Sequence, residues 1–122
     1  MSRDHEPATP ESAESALQAV RDAMDAARED LKKCRDDEIG AQAAYKRELR
    51  RLLLSAECPK VGVTDGMRTT VAERDAWVEQ RAAALELDWQ VSVAARRAAA
   101  DHLSTLRAQA SVAQSIAGSV RA

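Results

Sequence analysis

The stretch "VGVTDGMRTTVAERDAWVEQ", Val61 to Gln80, decides how this chain is read. Thr70 to Glu73, "TVAE", has the form of a capping box, with the Thr hydroxyl accepting an amide hydrogen bond and the Glu reaching back. A helix therefore starts at about residue 70, with Glu73, Asp75 and Glu79 near its positive end. Just before it, "TDG" is a turn signal. Val61–Thr64 and Met67–Thr70 could pair across Asp65–Gly66 as two very short strands. Two strands alone are marginal in water, so an irregular loop is the favoured reading.

Outward from the loop, both flanks read as helix. On the amino-terminal side, Thr9 can cap, Pro10 suits the first helical position, and Glu11 complements the dipole. Ala13, Leu17, Val20, Met24, Ala27, Leu31 and Cys34 then recur at steps of three and four. The stripe resumes with Ala41, Tyr45, Leu49, Leu52, Leu53 and Ala56, which is one face of an amphipathic helix. Pro59 closes it by restricting Cys58. Gly40 is the weak point, costing about 1 kcal/mol relative to Ala inside a helix. On the other side the stripe is Val71, Val78, Leu85, Trp89, Ser92, Ala95, Ala99, Leu103, Leu106, Ala110, Ala113, Ala117 and Val120, with Gly118 as a plausible stop. The expected organisation is a disordered tail over 1–9 and one all-α hairpin domain over 10–122. Its helices run over about 10–57 and 70–117, joined by a loop over about 58–69.

Composition agrees with this class. The chain has 122 residues, two Trp, one Tyr and no Phe, while Ala is abundant. Ala buries little surface but is the best helix former. Strands would want more β-branched and aromatic residues. Net charge is -2, which gives no global pull toward nucleic acid or an acidic membrane. Its distribution is more telling. Residues 1–30 carry 3 basic and 8 acidic groups, 31–60 carry 8 and 5, 61–90 carry 3 and 6, and 91–122 carry 4 and 1. Folded antiparallel, each acidic half lies beside a basic half. A parallel pairing would set like against like.

With the turn centre near Val63, residues equidistant from it should meet. Leu17 would then lie near Ala110, and Gly40 near Trp89, whose indole would fill the space of the missing side chain. Apolar residues also lie off the main stripe of the second helix. Trp77, Ala84, Val91, Ala98, Trp89 and Ile116 are the candidate partner or oligomer interface. A wide apolar face needs a second neighbour, so a homodimer forming a four-helix bundle is expected.

The search for chemistry returns little. There is no phosphate loop, dinucleotide fingerprint or nucleophile elbow. His102 follows Asp101 directly, and neighbours on a helix diverge, so these form no triad. Cys34 and Cys58 match no metal or redox spacing and read as reduced thiols. Asp36, Asp37 and Glu38 lack partners at helical spacing and read as a solvated face. The expectation is no catalytic residue, no metal, no cofactor and no enzyme. Lys46, Arg47, Arg50, Arg51, Arg96 and Arg97 are the weak candidates for nucleic-acid contact, since Arg suits phosphate. No aromatic platform accompanies them. The start has no signal-peptide core and no apolar run reaches membrane-spanning length, so a cytoplasmic protein without membrane contact is expected.

One resemblance covers the second half. Val71, Glu73, Arg74, Ala76, Trp77 and Val78, followed by Leu106, Arg107, Gln114, Ser115, Val120 and Arg121, resemble small all-helical accessory proteins of actinobacterial phages and prophages. The loop departs, with "GMRT" in place of a simpler lead-in. The resemblance implies a non-structural phage protein in the host cytoplasm, associated with DNA metabolism. The resulting expectation is a non-enzymatic interaction protein that oligomerises and binds a phage or host protein, in DNA recombination or counter-defence. The alternatives are a direct nucleic-acid-binding accessory protein and a virion structural or assembly component.

Overall fold

The structure is a computed structural model and describes residues 9–121, with the side chain of Arg121 left aside. The element order is α1 (Pro10–Leu54), β1 (Gly62–Thr64), β2 (Met67–Thr69) and α2 (Val71–Arg121). The two long helices pack against each other as an all-α helical hairpin. The expected tail falls on residues 1–8, outside the described residues, except for Thr9, which belongs to the helix cap. Its Oγ1 accepts from the Ser12 amide at 3.1 Å, and Ser12 Oγ accepts from the Thr9 amide at 2.9 Å. This is a reciprocal capping arrangement in which Ser12 takes the usual Glu position. At the start of α2, Thr70 Oγ1 accepts from the Glu73 amide at 3.2 Å, as "TVAE" predicts.

Three boundaries differ from expectation, each for a physical reason. α1 stops at Leu54 rather than near residue 57. The chain tightens there, with Ser55 and Cys58 amides donating to the carbonyls of Leu52 and Ser55, and this turns Cys58 inward onto Leu52, Val78 and Ala82. α2 runs through Gly118 to Arg121, because Ala117 and Val120 pack with Ala13 and Leu17 and hold that last turn helical. The loop is a β-hairpin rather than irregular. Gly62 pairs with Thr69, Val63 with Arg68 and Thr64 with Met67. Asp65 and Gly66 have φ of 52° and 78°, the two positive values that a type I′ turn requires. Asp tolerates that region and Gly enters it freely, so the turn chemistry outweighs the brevity of the strands.

The chain divides into two compact units, one of residues 34–96 and one of the stretch up to Lys33 with the stretch from Arg97. In the second of these, Ala13, Leu17, Ala27 and Leu31 of α1 are buried, as are Ala99, Leu103, Leu106 and Ala117 of α2. Val20, Met24, Ala110, Ala113 and Val120 are half-buried between them in sequence. In the unit 34–96 the protected positions along the seam include Cys34, Glu38, Ala41, Tyr45, Leu49 and Leu52 on α1, and Val78, Ala82, Leu85, Trp89, Ser92 and Arg96 on α2. The steps are of three and four, a period near 3.5, which is the seam of a coiled coil. Four stripe residues leave the expected face: Leu53, Ala56, Val71 and Ala95 are exposed.

The register also differs. In the unit 34–96, Tyr45 meets Trp89 and Glu38 meets Arg96, and both pairs are equidistant from Met67, not Val63. In the other unit Leu17 clusters with Ala117 and Ala113, not Ala110. The cause is asymmetry about the turn. Seven residues separate α1 from β1, while Thr70 alone separates β2 from α2. Gly40 consequently does not house the Trp89 indole: a Cβ at Gly40 meets nothing within 4 Å. Gly40→Ala is therefore expected to stabilise the fold, by about 0.5–1 kcal/mol through helix propensity and a less flexible unfolded chain. Urea denaturation monitored by helical circular dichroism checks the sign, which overpacking against Trp89 would have reversed.

Candidate interaction surface

Helix α1 carries the basic cluster and α2 carries most of the off-seam apolar residues, so each sequence-level candidate can be placed. Among the nucleic-acid candidates, Lys46, Arg47 and Arg50 are exposed along α1, with Arg47 Nε donating to the Ala43 carbonyl at 3.5 Å. Arg51 is exposed but engaged, donating to both carboxylate oxygens of Glu48, with Nε to Oε2 at 2.9 Å. These hydrogen bonds hold the Glu48 carboxyl below its ordinary range and push Arg51 up. Arg96 is not on a phosphate-facing surface. It is half-buried and its Nε donates to Glu38 across the seam, so it leaves the candidate set. Arg97 is exposed in the other unit. Glu38–Arg96 joins the two helices, whereas Arg28–Asp25 at 2.8 Å, Arg51–Glu48 and Arg74–Asp75 at 3.1 Å lie within one helix. Among the described residues, Glu38–Arg96 is thus a cross-helix expression of the alternating charge, while the three pairs within one helix are local and contribute little when exposed.

Of the six interface candidates, two face inward. Trp89 stacks on Tyr45, with ring centroids 5.6 Å apart and planes at 26°. Its Nε1–H is buried and meets no acceptor among the described residues. Burial, then the negative charges of Glu86 and Glu79, raise the Tyr45 hydroxyl above its ordinary pKa. Trp77 is half-buried against Leu52, Cys58, Val78 and Ala82. The Arg81 guanidinium lies 3.9 Å over its ring, and Arg81 Nη1 donates to the Trp77 carbonyl at 3.3 Å. Beside them an open cleft of about 440 Å³ is walled by Glu48, Arg51, Glu57 and Arg81, two carboxylates against two guanidiniums. That balance recognises neither anions nor cations. Ala84, Val91, Ala98 and Ile116 stay exposed on α2 as expected.

The sequence reading missed an apolar surface at the loop end. Leu53, Leu54, Val61, Val63, Met67 and Val71 are all exposed at the loop end of the unit 34–96. Leu53, Leu54, Cys58, Pro59, Lys60 and Arg74 frame an open groove of about 660 Å³ there. Their crowding within 53–71 was visible, but Leu53 and Val71 were assigned to the seam. Leu87 and Val112 were also missed on α2; both are exposed.

Among the described residues no three of His, Cys, Asp and Glu sit where they could hold a metal ion. Asp101 and His102 are both exposed. Cys58 is buried, with its Sγ 3.7 Å from the Pro59 carbonyl, Cys34 is half-buried, and both are free thiols. No described helix is long and apolar enough to cross a membrane. Comparison with known protein families, with curated proteins and with solved structures finds no match to this chain.

Proposed function

We propose that this chain is a non-enzymatic helical interaction protein that self-associates and docks another protein through the loop end of its hairpin. The observation that carries the reading is the apolar crown there. The seam beneath it is filled by Leu52, Cys58, Val78 and Ala82, yet six large apolar side chains above it stand in solvent. Such a patch, rimmed by polar residues, is the usual mark of a protein contact. The outer edges of β1 and β2 also offer backbone donors and acceptors to an added strand. The resemblance to actinobacterial phage proteins would make the partner a phage or host protein, met in the host cytoplasm and engaged in recombination or counter-defence.

The test is capture from infected and uninfected host cells with the wild-type chain and with Val63→Asp/Met67→Asp. Both side chains are exposed, so helical content should not change. A protein retained by the wild type and lost with the double variant supports the reading. Equal capture by both, or none by either, overturns it. A direct nucleic-acid role has one observation in its favour, the exposed Lys46, Arg47 and Arg50. It would show as affinity that falls steeply with salt, whereas apolar docking would not.

A further inference from the structure

We infer that the partner docked at the loop end inserts an apolar segment that carries a carboxylate, seated in the groove beside Leu53, Leu54 and Val61 with its charge on Lys60. This names the chemistry of the partner and rests on the docking reading above.

The groove lies wholly within the unit 34–96. It is lined by Leu53 and Leu54 at the end of α1, by Pro59, Lys60 and Val61 on the approach to β1, and by Arg74 of α2. Leu53, Leu54 and Val61 are exposed, an aliphatic surface for the apolar side chains of a partner to cover.

Charge identifies the occupant. The charged residues of the lining are Lys60 and Arg74, and none of the described residues lining it is acidic. Arg74 is already engaged. Its Nε and Nη2 both donate to Asp75 Oδ1, at 3.3 and 3.1 Å, and Asp75 lines the adjoining depression with Tyr45 and Glu79 instead. Glu57, the carboxylate nearest to Lys60 in the sequence, lines the separate cleft with Glu48 and Arg51, where its negative charge acts on Arg51. Among the described residues Lys60 therefore has no carboxylate partner. The helix ends do not alter the sign. The carboxyl end of α1 and the amino end of α2 both lie at this end of the unit, and their partial charges are opposite.

A carboxylate delivered on an apolar segment meets both features at once. Covering the leucines excludes water from the pair formed with Lys60, and that strengthens the attraction. A basic segment would set like charges together. A wholly apolar one would desolvate the ammonium and offer it no acceptor.

The test selects a displayed library of random short peptides on the full-length chain and measures the binders by fluorescence anisotropy. Retained peptides should combine large apolar residues with Asp or Glu. Lys60→Glu, at an exposed position, should leave helical circular dichroism unchanged and weaken their binding by at least about tenfold. Replacing the acidic residue of the peptide with Lys should restore binding to Lys60→Glu and not to the wild type. Leu54→Asp should weaken binding of either peptide. Binders without acidic residues, or binding indifferent to Lys60→Glu, would overturn the inference, and so would a library that yields no binder. Self-association lost with Lys60→Glu would give the groove to a second copy and overturn it too. The docking reading is judged separately, by capture from host cells with Val63→Asp/Met67→Asp. A partner lost with that variant but kept by Lys60→Glu would leave docking intact and refute the carboxylate.

Discussion

Leu52→Ala should cost about 2–4 kcal/mol of folding stability, while Leu54→Ala, two residues away, should change it by less than about 0.5 kcal/mol. The two leucines belong to one helical turn and have the same propensity and transfer free energy. Their surroundings differ. Leu52 is 4% exposed and packs with Cys58, Val78 and Ala82, with Tyr45, Leu49 and Trp77 against that cluster. Leu54 is 86% exposed. Truncating Leu52 removes three buried carbons and leaves a void that Ala82 is too small to fill. In a chain built so heavily of alanine, each large seam residue supplies an unusually large share of the buried apolar area. A net stability of about 5–15 kcal/mol is typical of a domain, so the loss would move the urea midpoint far toward zero. The measurement is a pair of denaturation curves. Similar shifts for both variants would mean that the carboxyl-terminal turn of α1 packs differently. Leu54→Ala has a second use: it should weaken partner capture at the loop end while leaving the midpoint alone.

That contrast also marks where sequence reading stops. Helix starts were legible because caps are local chemistry, and Thr9 and Thr70 both accept the amide they were expected to accept. The seam was legible where large residues repeat, as at Leu17, Leu31, Leu103 and Leu106. It was obscure within "RAAALEL", where any of three alanines could face inward. Ala82, 1% exposed, was passed over because periodicity among identical residues carries no signal. The register was missed because it depends on how many residues each side of the turn absorbs. That number is set by Cys58 folding back onto Val78, a tertiary contact. Trp89 falls on the stripe, as its spacing predicts, but not on the outer face or in the gap at Gly40; its stacking partner is Tyr45, 44 positions earlier in the sequence. The candidate surface was half legible. Val91 and Ile116 stood out as large residues off the stripe. The loop-end crown did not, since Leu53 and Val71 fit the apolar period and only packing reveals that the period ends before them.

Glu38 and Arg96 hold two seam positions that a sequence pattern reserves for apolar residues, and replacing them one at a time or together should give opposite results. Both are half-buried, with side chains 22% and 32% exposed, and the Arg96 Nε donates to the Glu38 carboxylate. Glu38→Ala leaves a guanidinium partly desolvated beside the seam with no carboxylate, and should cost about 1–3 kcal/mol. Arg96→Ala strands the carboxylate and should cost a similar amount. The double replacement Glu38→Leu/Arg96→Leu removes both desolvation penalties and restores a continuous apolar seam, so its stability should equal or exceed that of the wild type. A double-mutant cycle in urea built from Glu38→Ala, Arg96→Ala and Glu38→Ala/Arg96→Ala measures the coupling, and additive costs would show that the pair is only a surface contact. What the apolar double variant should lose is specificity. A charge pair at one level of a coiled coil fixes register, because any slip of one turn buries both charges unpaired. With leucines at both positions, neighbouring registers become nearly equivalent in energy. Disulfide trapping reads this out. In chains lacking native cysteines, a Tyr45→Cys/Trp89→Cys pair should crosslink within one chain when Glu38 and Arg96 are present. With the two leucines, yield should be divided between that pair and the Tyr45→Cys/Ser92→Cys pair, which reports a slip of about one turn. Undiminished trapping in the original register would mean that the remaining seam residues fix the alignment of the two helices, and that the ion pair contributes stability alone.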